Sequence, residues 1–394
     1  MLIIVVASVV TTLVLGAGLV AFLIRRRNMQ LWLPNYVFPS ETAPVRDPDL
    51  PIDLYIAVCD HWEPRCYGAT DALAMQRVRR WTKEYPELFR QFKDSSGRSP
   101  IHTCFFPQDE YRPEYLDELK KLCDAGLADV DVHLHHRDDT ADGLREKLIG
   151  FRETLEHRHG LLRKDPETGQ TVYGFIHGNW ALCNSRRDGM WCGVDQELTV
   201  LLETGCYADF TLPSAPSDTQ TGTINSIYYA QDIPGQCKSH DRGIRAKVGA
   251  TAPEHHLLMI QGPLCLDWQH RKCGMIPRIE NADVTIGRPA SIDRLKLWME
   301  TGVHVAGAPN SLFIKLHTHG CKDGNIDTWL GPDMQRFHRD LALFAQENPR
   351  VRYHYVSAWE MAQIVHRLEQ GEPALPQMDR PPQGRCSARH AGCR

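Results

Sequence analysis

Val130-Asp131-Val132-His133-Leu134-His135-His136 reads as the end of a buried β-strand. Alternate side chains of a strand share a face, so His133 and His135 point one way and His136 the other. Two imidazoles about 6–7 Å apart at their Cα atoms can close on one metal ion. The device recurs in Leu312-Phe313-Ile314-Lys315-Leu316-His317-Thr318-His319-Gly320, where an apolar run again ends in His-x-His and stops at a glycine. A third apolar run, Leu54-Tyr55-Ile56-Ala57-Val58, ends in Cys59-Asp60-His61. Three strands ending in metal-type or acid/base residues predict one polar site at one end of a sheet or barrel.

Working outward, further strands are expected at Ile101–Phe106, Val172–Ile176, Tyr207–Leu212, Asn225–Tyr229, His256–Ile260 and Val351–Val356. Helical spacing predicts helices at about Asp71–Phe92, Pro113–Cys123, Thr140–His157, Gln196–Thr204, Ile292–Glu300, Met334–Asn348 and Trp359–Glu369. Strands alternating with helices mean parallel β with helices outside. Helices do not separate every strand pair, so a perfect eightfold barrel is not expected. In such folds active residues sit at the C-terminal ends of strands, where the polar stretches lie.

The chain has 394 residues and a formal charge of −4, with no basic excess of the kind nucleic-acid binding requires. Its 13 cysteines are an odd number without a Cys-x-x-Cys pair, and read as reduced, buried thiols in a reducing compartment. Met1 to Ile24 carry no charge, and Arg25-Arg26-Arg27 follow. A helix of that length, about 36 Å, is expected to cross a membrane once, with the arginines and the body in the cytoplasm. The expected organisation is a transmembrane helix at 1–24, a basic stop and linker at 25–50, a catalytic body at 51–370 and a disordered tail at 371–394.

Within the body, His133 and His135 are candidate metal ligands, and the plain alternative is a pair of core histidines bonded to carbonyls. Zinc is the default ion for imidazole plus carboxylate, with iron, nickel, cobalt or manganese also compatible. His136 faces away and is placed in a second layer. Asp60 and His61 divide the roles of base and ligand, against an ordinary turn after a strand. Glu63 is a weaker candidate, with a simply solvated carboxylate as the plain alternative. Of His317 and His319, one is expected to protonate a leaving group and the other to bind or orient. His177 and Asn179 can hold substrate or an oxyanion, Asp209 can orient a histidine, and Trp62, Trp180 and Tyr111 can stack on a sugar ring.

The order of these motifs resembles the polysaccharide deacetylase (NodB homology) superfamily, carbohydrate esterase family 4, over roughly residues 50–360. Val58-Cys59-Asp60-His61 stands where that family has Thr-Phe-Asp-Asp, which implies Asp60 as catalytic base and His61 as metal ligand. His133-x-His135-His136 replaces the family's His-x-x-x-His pair of ligands, and Leu316-His317 is similar to its Leu-x-His, which supplies the general acid. His177-Gly178-Asn179-Trp180 stands in place of an Arg-containing motif. The resemblance implies a distorted (β/α)7-type barrel, here preceded by the transmembrane helix, and a divergent branch of the family. It implies a divalent-metal hydrolase, zinc first, that removes N-acetyl from an amino sugar in polysaccharide or in a lipid-linked precursor at the membrane. Two other readings stay open: another metal-dependent β/α-barrel amidohydrolase or phosphoesterase, and a non-catalytic glycan-binding or scaffold barrel in envelope assembly.

Overall fold

Strand β1 (Ile52–His61) is buried from Leu54 onward, as a parallel strand covered on both sides must be. Its odd-numbered side chains Tyr55, Ala57 and Cys59 meet Phe105, Ile176, Phe210, Ile260 and Phe313 in one core. Its even-numbered side chains Leu54, Ile56 and Val58 meet Trp81, Phe89, Leu119 and Leu341 in another. The two-residue period of the strand thus separates a barrel interior from an outer layer under the helices. The computed structural model describes the backbone of residues 2–39 and 45–374, and their side chains apart from residues 2–10 and 12.

The other strands are β2 (His102–Pro107), β3 (Ala128–Leu134), β4 (Arg163–Lys164), β5 (Thr171–His177), β6 (Cys206–Asp209), β7 (Ile227–Ala230), β8 (Ile244–Arg245), β9 (Leu257–Ile260), β10 (Cys265–Lys272), β11 (Ile276–Glu280), β12 (Ser311–Thr318) and β13 (Val351–Tyr355). The helices are α1 (Leu2–Arg26), α2 (Leu33–Val37), α3 (Asp71–Phe89), α4 (Pro113–Asp124), α5 (Ala141–Glu153), α6 (Glu197–Glu203), α7 (Ile292–Thr301), α8 (Asn325–Trp329), α9 (Pro332–Glu347) and α10 (Ala358–Glu369). Thr70, Thr140, Ser291 and Ser357 cap α3, α5, α7 and α10 by accepting from a backbone N–H in the first turn.

Parallel ladders run β12–β1–β2–β3–β5–β6–β9, and β7 and β8 extend the path antiparallel. β2 pairs with the upper end of β1, Cys59–His61, and β13 with its lower half, Ile52–Ile56. No ladder joins β9 to β12 among the described residues. Lys315 of β12 reaches inward to the segment after β6: its Nζ donates to the carbonyls of Phe210 (2.5 Å) and Leu212 (2.6 Å). Burial pushes the Lys315 ammonium down to about 8. The hairpin β10–β11 was not expected from sequence; most of β10 is exposed and lacks an apolar alternation to signal it.

The N-terminal expectations need correction. Residues 2–26 are helical, but among the described residues no helix is long and apolar enough to cross a membrane. Several apolar side chains of α1, including Leu13, Leu15, Leu19 and Phe22, are exposed. The single-pass anchor, and with it the membrane location and the membrane as partner, is withdrawn; the part of the segment at residues 1–10 lies outside the described side chains. The expected linker is also partly folded. Trp32 is fully buried with Ala215 and Leu264, and Asn28 and Asn35 donate to the Pro216 and Gly222 carbonyls. The expected tail lies outside the described residues from 375 onward. Every described cysteine is free.

Below the His-x-His end of β3, on the same face, lies Asp131. Arg163 Nη1 donates to it at 2.5 Å, Tyr207 Oη at 2.6 Å and the Gly174 N–H at 2.7 Å. Arg163 also holds Asp129 at 2.5 Å. All of Asp131 is buried, so removing the cation leaves a carboxylate with nowhere to send its charge. Arg163→Met is expected to lower the unfolding free energy by about 3–5 kcal/mol in a denaturant titration, and Arg163→Met/Asp131→Asn to recover part of that loss. A loss within the noise of the titration would mean that the cluster contributes nothing to stability.

Candidate active site

Three strands each deliver a pair of same-face residues to the upper end of the barrel: His61 and Glu63 at the end of β1, His133 and His135 at the end of β3, His317 and His319 at the end of β12. Glu63 is at the centre. Its Oε1 lies 3.1 Å from His133 Nε2, 3.4 Å from His135 Nε2 and 4.0 Å from His319 Nε2. The His61 ring stacks on His319 (centroids 4.6 Å) and meets His133 edge-on (4.8 Å). His133 Nδ1 donates to the Ile176 carbonyl at 2.8 Å, which leaves the Nε2 lone pair facing a carboxylate oxygen. Two acceptors at that distance need a proton or a cation between them. His61, Glu63 and His133 each offer one ligand atom, all within 4.8 Å of one another.

The group forms the floor of an open cavity of about 430 Å³, walled by Tyr67, Asp109, Glu110, Asn179, Trp180, Trp191 and Lys322. Asn179 and Trp180 both have φ of 55°, in the left-handed region. That unusual turn hangs Trp180 5.8 Å from the His61 and His319 rings. Gly178 before it is required, because a Cβ there would collide with the His135 ring. His135 Nδ1 donates to Asp109 Oδ1 at 3.0 Å, and the ring is about one quarter exposed, toward the cavity.

Burial and charge set the protonation of the group. Burial, reinforced by His319 and His133, drives His61 well down, and burial also lowers His133. Burial opposes the charge of Glu63, but the histidines around it, His133, His135 and His319, outweigh it and hold the carboxyl well below its usual range. Burial opposes the charge of His135 too, yet Asp109 and Glu63 overcome it and raise the ring to about 10. Desolvation pushes Glu110 up to about 7, against the hydrogen bond from the Arg65 N–H.

Of the residues expected from sequence, His61, His133, His135, His319, Asn179 and Trp180 come together here with Glu63, the candidate ranked low. His317 is one layer deeper, 4 % exposed, with Nδ1 unpartnered. Asp60 does not reach the site. It is adjacent to His61 and so points to the outer layer, where it is fully buried; His102 Nε2 donates to it at 2.8 Å and the Gly320 N–H at 2.6 Å. A Cβ at Gly320 would collide with the Asp60 carboxylate. Asp209 orients no histidine: both its oxygens accept from Thr211, and burial lifts it to about 7. Trp62 packs on Phe106 in the core, and Tyr111 on Phe151 and His159. His136 and His177 form a separate cluster on the outer side. Asp109 and Glu110 were not singled out from sequence, although they follow β2 as the histidine pairs follow their strands.

No family model matches the chain, and no curated protein matches it in sequence. Its structure is similar to the crystal structure described as a "putative polysaccharide deacetylase from Mycobacterium smegmatis", at 13% identity and a TM-score of 0.42, over 86% of this chain and 98% of that one. A likeness of that degree carries no functional step; the side chains must do so.

The position of Asp60 makes it a structural residue. Asp60→Ala leaves His102 and the Gly320 N–H without their acceptor and is expected to cost about 3 kcal/mol of unfolding free energy. Asp60→Asn, which still accepts from Gly320, is expected to cost less, with metal content unchanged. If Asp60→Asn abolished hydrolysis without any loss of stability, Asp60 would belong to the chemistry after all.

Proposed function

We propose that the chain is a metal-dependent hydrolase that removes an acyl group, N-acetyl from an amino sugar, in the cavity above Glu63. The observation that carries this reading is the convergence of His133 Nε2 and Glu63 Oε1 at 3.1 Å with the other His133 nitrogen already spent on the Ile176 carbonyl. His61, Glu63 and His133 would hold a divalent cation, with zinc favoured by two imidazoles and one carboxylate. When bound, such a cation supplies Lewis acidity toward a carbonyl oxygen and a water of lowered pKa.

The chain's own groups supply the rest. His135 is held by Asp109 through Nδ1 and presents Nε2 to the centre; a cation on Glu63 would cancel the carboxylate charge that helps hold this ring protonated, so that Nε2 takes the proton of the attacking water. His319 stands across from it, a little over one quarter exposed, and gives a proton to the departing amine. It takes the acid role first assigned to His317, which lies too deep to reach a substrate. Tyr67, Trp180 and Trp191 offer aromatic faces to a sugar ring at the cavity wall.

The test is acetate release from N-acetylated oligosaccharides by zinc-loaded protein. His135→Gln and His319→Gln are each expected to lower kcat by about 10²–10⁴-fold, with metal content retained. Glu63→Gln and His133→Ala are expected to lose the pocket metal together with activity. Unchanged turnover in His135→Gln, or release of phosphate but no acetate across a panel of sugar esters and amides, would sink the reading.

A further inference from the structure

On the outer side of β3 and β5, away from the cavity, four side chains with ligand atoms converge: His136, His177, Cys192 and Glu197, all buried, with those atoms within 4.8 Å of one another. Their hydrogen bonds place the protons. His136 Nδ1 donates to Asp139 Oδ2 at 3.1 Å, an oxygen that Lys147 Nζ also holds at 2.6 Å. His177 Nδ1 donates to the Gly178 carbonyl at 2.5 Å. Each neutral ring therefore keeps its lone pair on Nε2. The two Nε2 atoms lie 2.8 Å apart, and Glu197 Oε1 lies 3.2 Å from one and 3.4 Å from the other. Three acceptors aimed at one buried point repel one another unless positive charge sits among them.

The fourth group fits the same demand. Cys192 Sγ accepts from the Asn184 and Val194 N–H groups at 3.3 and 3.4 Å and lies 3.4 Å from Glu197 Oε2. As a thiol it reaches the Val194 carbonyl at 3.4 Å. Glu197 Oε2 accepts from the Cys183 N–H at 2.7 Å. Every candidate ligand thus has an outer hydrogen-bond partner, the arrangement that orients metal ligands.

We infer that His136, His177, Cys192 and Glu197 form a second metal centre, a closed four-ligand zinc site with a structural role. Two neutral imidazoles, a thiolate and a carboxylate carry two negative charges, which one divalent cation cancels. Nitrogen and sulfur donors select zinc over magnesium or calcium. Four protein ligands leave no open position for substrate, unlike the set at the cavity floor. The site would pin the ends of β3 and β5 to the start of α6, and so fix the loop 178–196 that carries Asn179, Trp180 and Trp191 into the cavity wall.

The test is metal stoichiometry of the full chain, purified without a histidine tag, loaded with zinc or cobalt and freed of excess. Two equivalents are expected in the wild type, one in Cys192→Ser, and one in His61→Ala/His133→Ala. In the cobalt form, a thiolate-to-cobalt charge-transfer band is expected in the wild type, in His61→Ala/His133→Ala and in Cys66→Ser, which alters a cysteine at the cavity wall, but not in Cys192→Ser. A single equivalent that survives His61→Ala/His133→Ala and vanishes in Cys192→Ser supports this site while removing metal from the cavity. A wild type without the charge-transfer band, or one whose only equivalent vanishes in His61→Ala/His133→Ala, overturns the inference and leaves a shared proton between the two histidines. If Cys192→Ser does not fold, the wild type and the cavity variant decide the matter between them.

Discussion

Side chains along a strand must alternate between faces, and the upper end of this barrel is built on that constraint. His61 and Glu63, His133 and His135, and His317 and His319 are each two residues apart, so each pair faces the interior. Parallel pairing then sets the level of each pair, with His319 beside His61 and His317 one layer below. Cys59 stands opposite His317 across β1 and β12, and Pro107 opposite His133 across β2 and β3. Residues one step out of phase are sent elsewhere: Asp60 to His102 and Gly320, His136 and His177 to Glu197. Had β1 slipped by one residue, Asp60 would face the cavity and His61 the helices.

The same rule explains what was legible in the sequence. Apolar runs ending in His-x-His identified β3 and β12 and the end of the barrel where they open. The period of two also gave the correct separation of His136 from His133 and His135. On β1, chemical type points to Asp60 and His61 as one site, but adjacent residues of a strand face apart. Applied there, the period of two selects Glu63, the residue at the centre of the cluster. It also selects Asp109, two residues beyond Pro107 on β2. Chemical type suggested Asp60 as a base, but strand phase decides whether a carboxylate can act as one.

Other parts had no local signal. Trp180 reaches His61 only because two successive residues, Asn179 and Trp180, take left-handed backbone angles, and nothing in their side chains announces this. Cys192 and Glu197 meet His136 and His177 through a loop whose path depends on tertiary contacts, including the Asp139 N–H to the Cys192 carbonyl at 3.0 Å. A spacing rule for metal ligands looks along one strand or helix, and this cluster draws on four separate segments.

The two clusters meet at Gly178. On one side, its carbonyl accepts from His177 Nδ1, which fixes the ring that faces His136. On the other, its missing side chain makes room for the His135 ring beside Asp109. The next two residues turn Trp180 over His61. A shift of this one peptide therefore moves the outer histidine pair, the inner proton-handling pair and the aromatic wall together. Packing at that density transmits displacement instead of absorbing it. The outer cluster can thus govern the cavity without contacting a substrate, because it holds the peptide on which the cavity geometry rests.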